Sequence, residues 1–160
     1  MRRVVITGLG AVTPVGNDAP ATWQALLRGT SGIGLITRFD PSALPIRIAG
    51  EVKNFVLDPQ IDAREARRQS LYTRYALNAV VEAVRAARLD MAQENPEQVG
   101  VIYGSGAAGL DLIFDNHDVM RERGPRRVAP TMIANMLADS ASGAIAIMLG
   151  AQGPNMAVTA

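Results

Sequence analysis

Three groups of residues in this sequence could do chemistry. The first is Gly104-x-Gly106-x-x-Gly109, which follows the apolar run Val99–Tyr103 and precedes a helix-like segment. This is formally the dinucleotide fingerprint, whose glycines let a pyrophosphate approach the backbone at a helix N-terminus. The fingerprint also wants a second strand ending in an acidic residue about 20 residues on. That region instead holds Gly124-Pro125-Arg126-Arg127. The competing reading is a tight strand–helix turn whose backbone must pass close to a neighbour. Gly8-Leu9-Gly10 has no third glycine in register and runs into Pro14, so it carries less. The second group is His117, the only histidine, beside Asp115, Asn116 and Asp118. Alone it makes no metal site, and a solvated or capping role is expected of it. The third is a set of arginines. Arg64, Arg67 and Arg68 stand at i, i+3 and i+4, so a helix would place them on one face. Arg126 and Arg127 form a second basic pair. Such patches are either solvated faces or docking sites for an acidic partner. No aromatic residues interleave with them, which argues against nucleic acid.

The elements that must position these groups alternate between strand and helix, so an α/β fold is predicted. Arg3 to Ala11 reads as a buried strand because Val4-Val5-Ile6 is a β-branched run. Ala21 to Arg28 reads as a short helix capped by Asp18, with Pro20 in its first turn and Gly29 at its end. Gly32 to Phe55 reads as loops, with a short strand at Ile46 to Val52. Asp62 is the predicted cap of a long helix ending near Leu89-Asp90. Its apolar stripe is Leu71, Tyr75, Ala79, Val80, Ala83, Val84 and Ala87. Val99 to Tyr103 is a second strand and Leu110 to Glu122 a helix broken by Gly124-Pro125. Pro130 to Leu149 is a helical region rich in small residues, suited to close packing. Met156 to Ala160 begins a third strand.

Composition sets the outer limits. The chain has 160 residues, 48% hydrophobic and 19% charged, which excludes a disordered or low-complexity polypeptide. The formal net charge is +1, so no global field favours a polyanion. Lys53 is the only lysine, and arginine supplies the remaining basic charge. There is no cysteine, hence no disulfide, thiolate metal site or cysteine nucleophile within these residues. No apolar run approaches the ~20 residues that a bilayer requires. Met1-Arg2-Arg3-Val4-Val5-Ile6 lacks the apolar core and cleavage site of a signal peptide. A cytoplasmic protein of one domain is expected.

The order of these pieces resembles a known family. Arg2-Arg3-Val4-Val5-Ile6-Thr7-Gly8-Leu9-Gly10-Ala11-Val12-Thr13-Pro14-Val15-Gly16-Asn17 is similar to the opening of β-ketoacyl-carrier-protein synthases of the second type. Further matching blocks are Thr22–Leu27, Ser31-Gly32-Ile33, Arg38-Phe39-Asp40, Tyr103-Gly104-Ser105-Gly106, Gly124-Pro125-Arg126-Arg127 and Leu149–Asn155. They come in the family's order and at its spacing, from Met1 to Ala160.

The resemblance implies a thiolase-like αβαβα layered fold, of which residues 1–160 would form most of the first half. It implies a decarboxylating Claisen condensation between an acyl thioester and malonyl-carrier protein. The partners would be an acyl carrier protein, acyl- or malonyl-loaded, and a second copy in a homodimer. No cofactor or metal is implied. The family's nucleophilic cysteine would fall at position 161, immediately after Val158-Thr159-Ala160. Its catalytic histidines and lysine lie further on, and His117 matches neither histidine. Residues 1–160 alone are therefore expected to be inactive. Gly106 and Ala107 match the loop bordering the acyl pocket, with Ala107 smaller than the aliphatic residue many relatives carry. Thr131 and Met132 match positions near the dimer partner's pocket, where relatives often have phenylalanine. Arg64, Arg67, Arg68, Arg126 and Arg127 match basic positions that meet the carrier protein. The alternatives are a polyketide ketosynthase, a non-catalytic partner of the chain-length-factor type, and a dinucleotide-binding module.

Overall fold

In the computed structural model, which describes residues 3–159, the order of elements is helix, hairpin, paired helices, strand, three helices and a final strand. Helix α1 spans Ala19–Leu27. The Asp18 carboxylate accepts the Ala21 N–H at 2.6 Å and Pro20 lies in the first turn, the start chemistry expected from sequence. Strands β1 (Ile33–Leu35) and β2 (Ile48–Gly50) pair antiparallel, with Ile33 opposite Gly50. Glu51, just beyond β2, folds the long hairpin loop onto itself. Its carboxylate accepts the Thr37 hydroxyl at 2.7 Å and the Arg38 N–H at 3.2 Å.

The long helix predicted from Asp62 is two helices. Asp62 caps only α2 (Ala63–Ala66), accepting from the Arg64 N–H at 2.7 Å and the Glu65 N–H at 3.3 Å. Helix α3 (Leu71–Ala87) starts again after Ser70. The break has a local cause. Ser70 is extended, fully buried, and its hydroxyl lies 3.2 Å from the Thr73 hydroxyl, so it takes an N-cap position rather than continuing the helix. Its side chain does not cap the new helix. The carboxylate of Asp111, forty residues on, accepts the Leu71 N–H at 2.8 Å instead.

Helix α3 is the spine of the molecule, and it uses two faces. Ala76, Leu77 and Val81 turn to the core. Ala79, Ala83 and Ala87 lie under the backbone of residues 8–10. This contact changes the reading of the N-terminal segment. Among the described residues, Arg3 to Ala11 has no strand partner, and Val4, Val5 and Ile6 are exposed. A β-branched run favours extended backbone, but a strand exists only beside another edge. Here the segment is laid on a helix. A Cβ at Gly8 or Gly10 would collide with the carbonyl oxygens of Ala83 and Ala79, so glycine is required for that approach. Glu82 ties the arrangement together. Its carboxylate accepts the Ala11 N–H at 2.9 Å and, at 2.8 Å, the Ala19 N–H that opens α1.

Strand β3 (Val101–Gly104) pairs in parallel with β4 (Asn155–Val158), in the register Val101 to Asn155 and Gly104 to Val158. The crossover between them contains α4 (Leu110–Arg123), α5 (Met132–Met136) and α6 (Ser140–Leu149). The small-residue region is thus two helices. Ala141 and Ser142 of α6 are fully buried, as close packing on α3 requires. Ile61, Ala66, Leu77, Val81, Val101 and Ile145 complete one core between α2, α3, β3 and α6. Residue 160, the end of the predicted last strand, lies outside the described residues. Among those residues no helix is long and apolar enough to cross a membrane.

Candidate functional site

The glycine-rich segment after β3 is a turn held by its own amides. Ser105 N–H donates to Val158 O at 3.0 Å, Ala108 N–H to the Ser105 hydroxyl at 2.9 Å, and Gly109 N–H to Met136 O at 3.1 Å. A Cβ at Gly109 would lie 2.9 Å from Met136 Cα and 3.1 Å from Ser70 Cβ. That glycine is therefore spent on packing α4 against α5 and the α2–α3 turn. Ala108 beside it holds φ at +50°, a left-handed conformation disfavoured for a residue with a Cβ. Three amides of the turn, those of Ser105, Ala108 and Gly109, already have protein partners, which counts against the dinucleotide alternative. Gly106 and Ala107 remain exposed at the tip of the turn.

Thr131 and Met132 stand at the opposite end of the short α5. Thr131 is exposed and precedes the helix, and Met132 opens it half-buried. The glycine turn meets α5 at its far end, through Gly109 and Met136. The structure thus links the four acyl-pocket candidates through one helix without closing a cavity around them. Tyr72, which the sequence reading did not single out, holds the junction between α5 and α6. Its hydroxyl donates to Leu137 O at 2.7 Å and lies 2.6 Å from the Ser140 hydroxyl. Tyr103 lies beside Tyr72 with ring centroids 6.2 Å apart, and burial pushes its phenol pKa up. A cavity of about 700 Å³ opens on the other side of α5, lined by Ile61, Ala66, Leu77, Ile147, Met148 and Gln69 among others. None of Gly106, Ala107, Thr131 and Met132 lines it. The Gln69 Oε1 is buried without a hydrogen-bond partner.

The arginines are exposed, as docking residues must be, but they do not share one helix face. Helix α2 ends at Ala66. Arg67 is its C-cap and Arg68 lies in the turn beyond. This corrects the predicted i, i+3, i+4 stripe. The turn is braced by Arg74, whose guanidinium donates to Gln69 O at 3.1 Å and Arg67 O at 3.4 Å. Arg68 pairs with Glu65 at 3.1 Å. Among the described residues, Arg64, Arg67, Arg126 and Arg127 form no ion pair, so their charge faces outward. Arg126 and Arg127 sit on the single 3₁₀ turn Pro125–Arg127. Buried Asn116 on α4 anchors the chain that follows. Its amide donates to Leu112 O at 2.8 Å, and its carbonyl accepts the Ala129 N–H at 2.8 Å. A sequence pattern does not reveal Asn116, because its role depends on a partner thirteen residues away.

His117 is exposed, with Nδ1 3.3 Å from an Asp118 carboxylate oxygen, and it approaches none of the candidate groups. The described residues therefore present a turn, a short helix and a set of free cations: parts suited to binding and shaping.

Comparison with known proteins accounts for this set of parts. Residues 1–160 match the family described as Beta-ketoacyl synthase, N-terminal domain. The chain is 44% identical over 154 residues to 3-oxoacyl-[acyl-carrier-protein] synthase 2 of Staphylococcus aureus (strain COL), an alignment covering 96% of this chain and 37% of that protein. It superimposes on the ishigamide ketosynthase/chain length factor with a TM-score of 0.86 at 27% identity, covering 99% of this chain and 40% of the other. A type II polyketide ketosynthase, solved in complex with its acyl-carrier protein and bound to the hexaketide, gives a TM-score of 0.74 at 25% identity, covering 100% and 42%. The chain spans well under half the length of these relatives. Its backbone follows the thiolase-like fold of ketosynthases over their N-terminal portion. Strand, glycine turn and crossover helices thus agree in order, sequence and space, and the chain belongs to the β-ketoacyl synthase family through its N-terminal domain.

Proposed function

We propose that this chain is the N-terminal portion of an elongating β-ketoacyl-carrier-protein synthase of fatty acid synthesis. The observation that carries the reading is 44% identity, across nearly the whole chain, to a 3-oxoacyl-[acyl-carrier-protein] synthase 2. In the reaction an acyl group passes to a cysteine thiolate, releasing the carrier thiol. Malonyl-carrier protein then loses CO2, and its carbanion attacks the acyl carbonyl. The C–S bond to the enzyme breaks and the thiolate is regenerated. Such a step needs an activated thiolate and N–H donors aimed at the developing oxyanion. By family resemblance the cysteine follows β4 at position 161, opening a helix whose N-terminus favours the thiolate.

In this reading residues 1–160 shape and dock. Gly106 and Ala107 border the acyl pocket, and the small Ala107 widens it. Thr131 and Met132 lie toward the pocket of a homodimer partner. Arg64, Arg67, Arg68, Arg126 and Arg127 receive an acidic acyl carrier protein, and among the described residues four of them form no ion pair. The homodimer and a cytoplasmic setting rest on the resemblance alone.

The test is condensation by the full-length protein, supplied with acyl- and malonyl-loaded carrier protein, followed as CO2 release and 3-oxoacyl product. Product that disappears when the residue at 161 is replaced supports the reading. Absence of product, with glutamine rather than cysteine at 161, favours a second reading. That reading is a non-catalytic partner of the chain-length-factor type, and it draws on the TM-score of 0.86 to a ketosynthase/chain length factor.

A further inference from the structure

Ala108 is held in a conformation that alanine does not choose. Its φ of +50° lies in the left-handed region, which a Cβ disfavours and glycine takes at no steric cost. Such a residue persists only where its surroundings hold it. The holding group is Ser105. Its hydroxyl accepts the Ala108 N–H at 2.9 Å, bridging the turn from three positions upstream. Its own N–H donates to Val158 O at 3.0 Å, at the end of β4. On the other side the Gly109 N–H, donating to Met136 O at 3.1 Å, closes the turn. Gly106 and Ala107 stand exposed between these attachments. One side chain thus sets where that exposed pair sits relative to β4.

We infer that Ser105 is a positioning residue for the acyl pocket, fixing the distance between its Ala107 border and the strand that leads to position 161. The inference rests on the reading of Gly106 and Ala107 as pocket residues and on a cysteine at 161. Val158 lies three positions before 161. In the condensation the acyl carbonyl is fixed at that cysteine while its tail passes Ala107. A turn free to move relative to β4 accepts tails of different length more evenly. Strain makes the hydroxyl decisive, since an alanine released from the left-handed region relaxes to negative φ and carries Ala107 with it.

The test compares kcat/KM for a short and a long acyl-carrier-protein substrate in the full-length protein, for Ser105→Ala, Ser105→Thr, Ser105→Cys and Ala107→Leu. Ser105→Ala is expected to change the long-to-short ratio roughly three- to tenfold, while Ser105→Thr, which keeps the hydroxyl, stays near the parent. Ser105→Cys keeps the size with a weaker acceptor, so it should fall between them, and it serves if the alanine variant does not fold. Ala107→Leu narrows the border itself and should shift the ratio against the long chain. If Ala107→Leu shifts the ratio and neither Ser105→Ala nor Ser105→Cys does, or if these two slow both substrates alike, the inference fails and the pocket reading stands. If Ala107→Leu leaves the ratio unchanged, the pocket reading fails and the inference falls with it. A parent that makes no product overturns the proposed function and the inference together.

Discussion

At the residue scale, two glycines on opposite sides of α5 should behave in opposite ways. Gly109 is boxed in by Met136, Asn135 and Ser70, so a methyl group there must displace backbone. Gly109→Ala is expected to cost about 1–3 kcal/mol in chemical denaturation. Gly143 lies inside α6 with nothing within 4 Å of its missing Cβ. Gly143→Ala is expected to stabilise by about 0.5–1 kcal/mol, the usual gain of alanine over glycine in a helix interior. Acid behaviour can also be assigned to a residue. The Gln60 amide, and then the Arg85 guanidinium at 2.9 Å, hold the Asp58 carboxyl below the usual carboxylate range against the opposing effect of burial. The folded pKa lies below the unfolded value of about 3.9. Its stabilisation is therefore complete above that pH and is lost as pH falls through the lowered folded pKa. Asp58→Asn should show a smaller drop in melting temperature between neutral pH and pH 3 than the parent. An equal drop in both would assign the acid sensitivity elsewhere.

At the element scale, the joints between helices depend on single polar side chains. Glu82 joins residues 8–11 and the start of α1 to α3, Tyr72 joins α5 and α6 to α3, and Asn116 joins the basic turn to α4. Asn116 offers the cleanest separation. Asn116→Leu leaves the Ala129 N–H without its acceptor and should cost about 1–3 kcal/mol. Asn116→Asp keeps an acceptor at the same place and should cost less. The turn carrying Arg126 and Arg127 should then show faster amide exchange in the leucine variant than in the aspartate one. The α2–α3 break shows why such joints resist a reading by periodicity. The helical pattern runs through Ser70 unbroken, and only the buried Ser70–Thr73 contact and the Asp111 cap set the new start.

At the scale of the whole molecule, a parallel sheet is ordinarily covered on both faces. Here β3 and β4 form a two-stranded parallel sheet on which Ile102, Met156 and Val158 are more than half exposed. Val4, Val5 and Ile6 are exposed as well, at 98%, 72% and 82%. Apolar edges of this kind bind other strands or other chains. Residues 1–160 expressed by themselves should therefore associate and bind a hydrophobic dye. A clean monomer by size-exclusion chromatography, with no dye response, would contradict this.

Local chemistry was legible in the order of residues. Asp18 before Pro20, Gly124-Pro125 after α4, and apolar runs at β3 and β4 each act through neighbours a few positions away. The family likeness was legible for the same reason, since its blocks are local. What the turns are for was not. Whether Val4–Ile6 pairs as a strand depends on an edge beside it, and α3 takes that place through Gly8 and Gly10. Whether the Ser105 and Gly109 amides are free for a phosphate depends on Val158 and Met136, which lie 53 and 27 positions from the amides they bind. Whether the arginines form one stripe or two separate sets depends on where α2 stops. Sequence determined which groups this protein brings to its surface and its turns. The tertiary structure decided which hydrogen bonds were already taken, because a buried amide N–H donates to whichever acceptor the packing delivers.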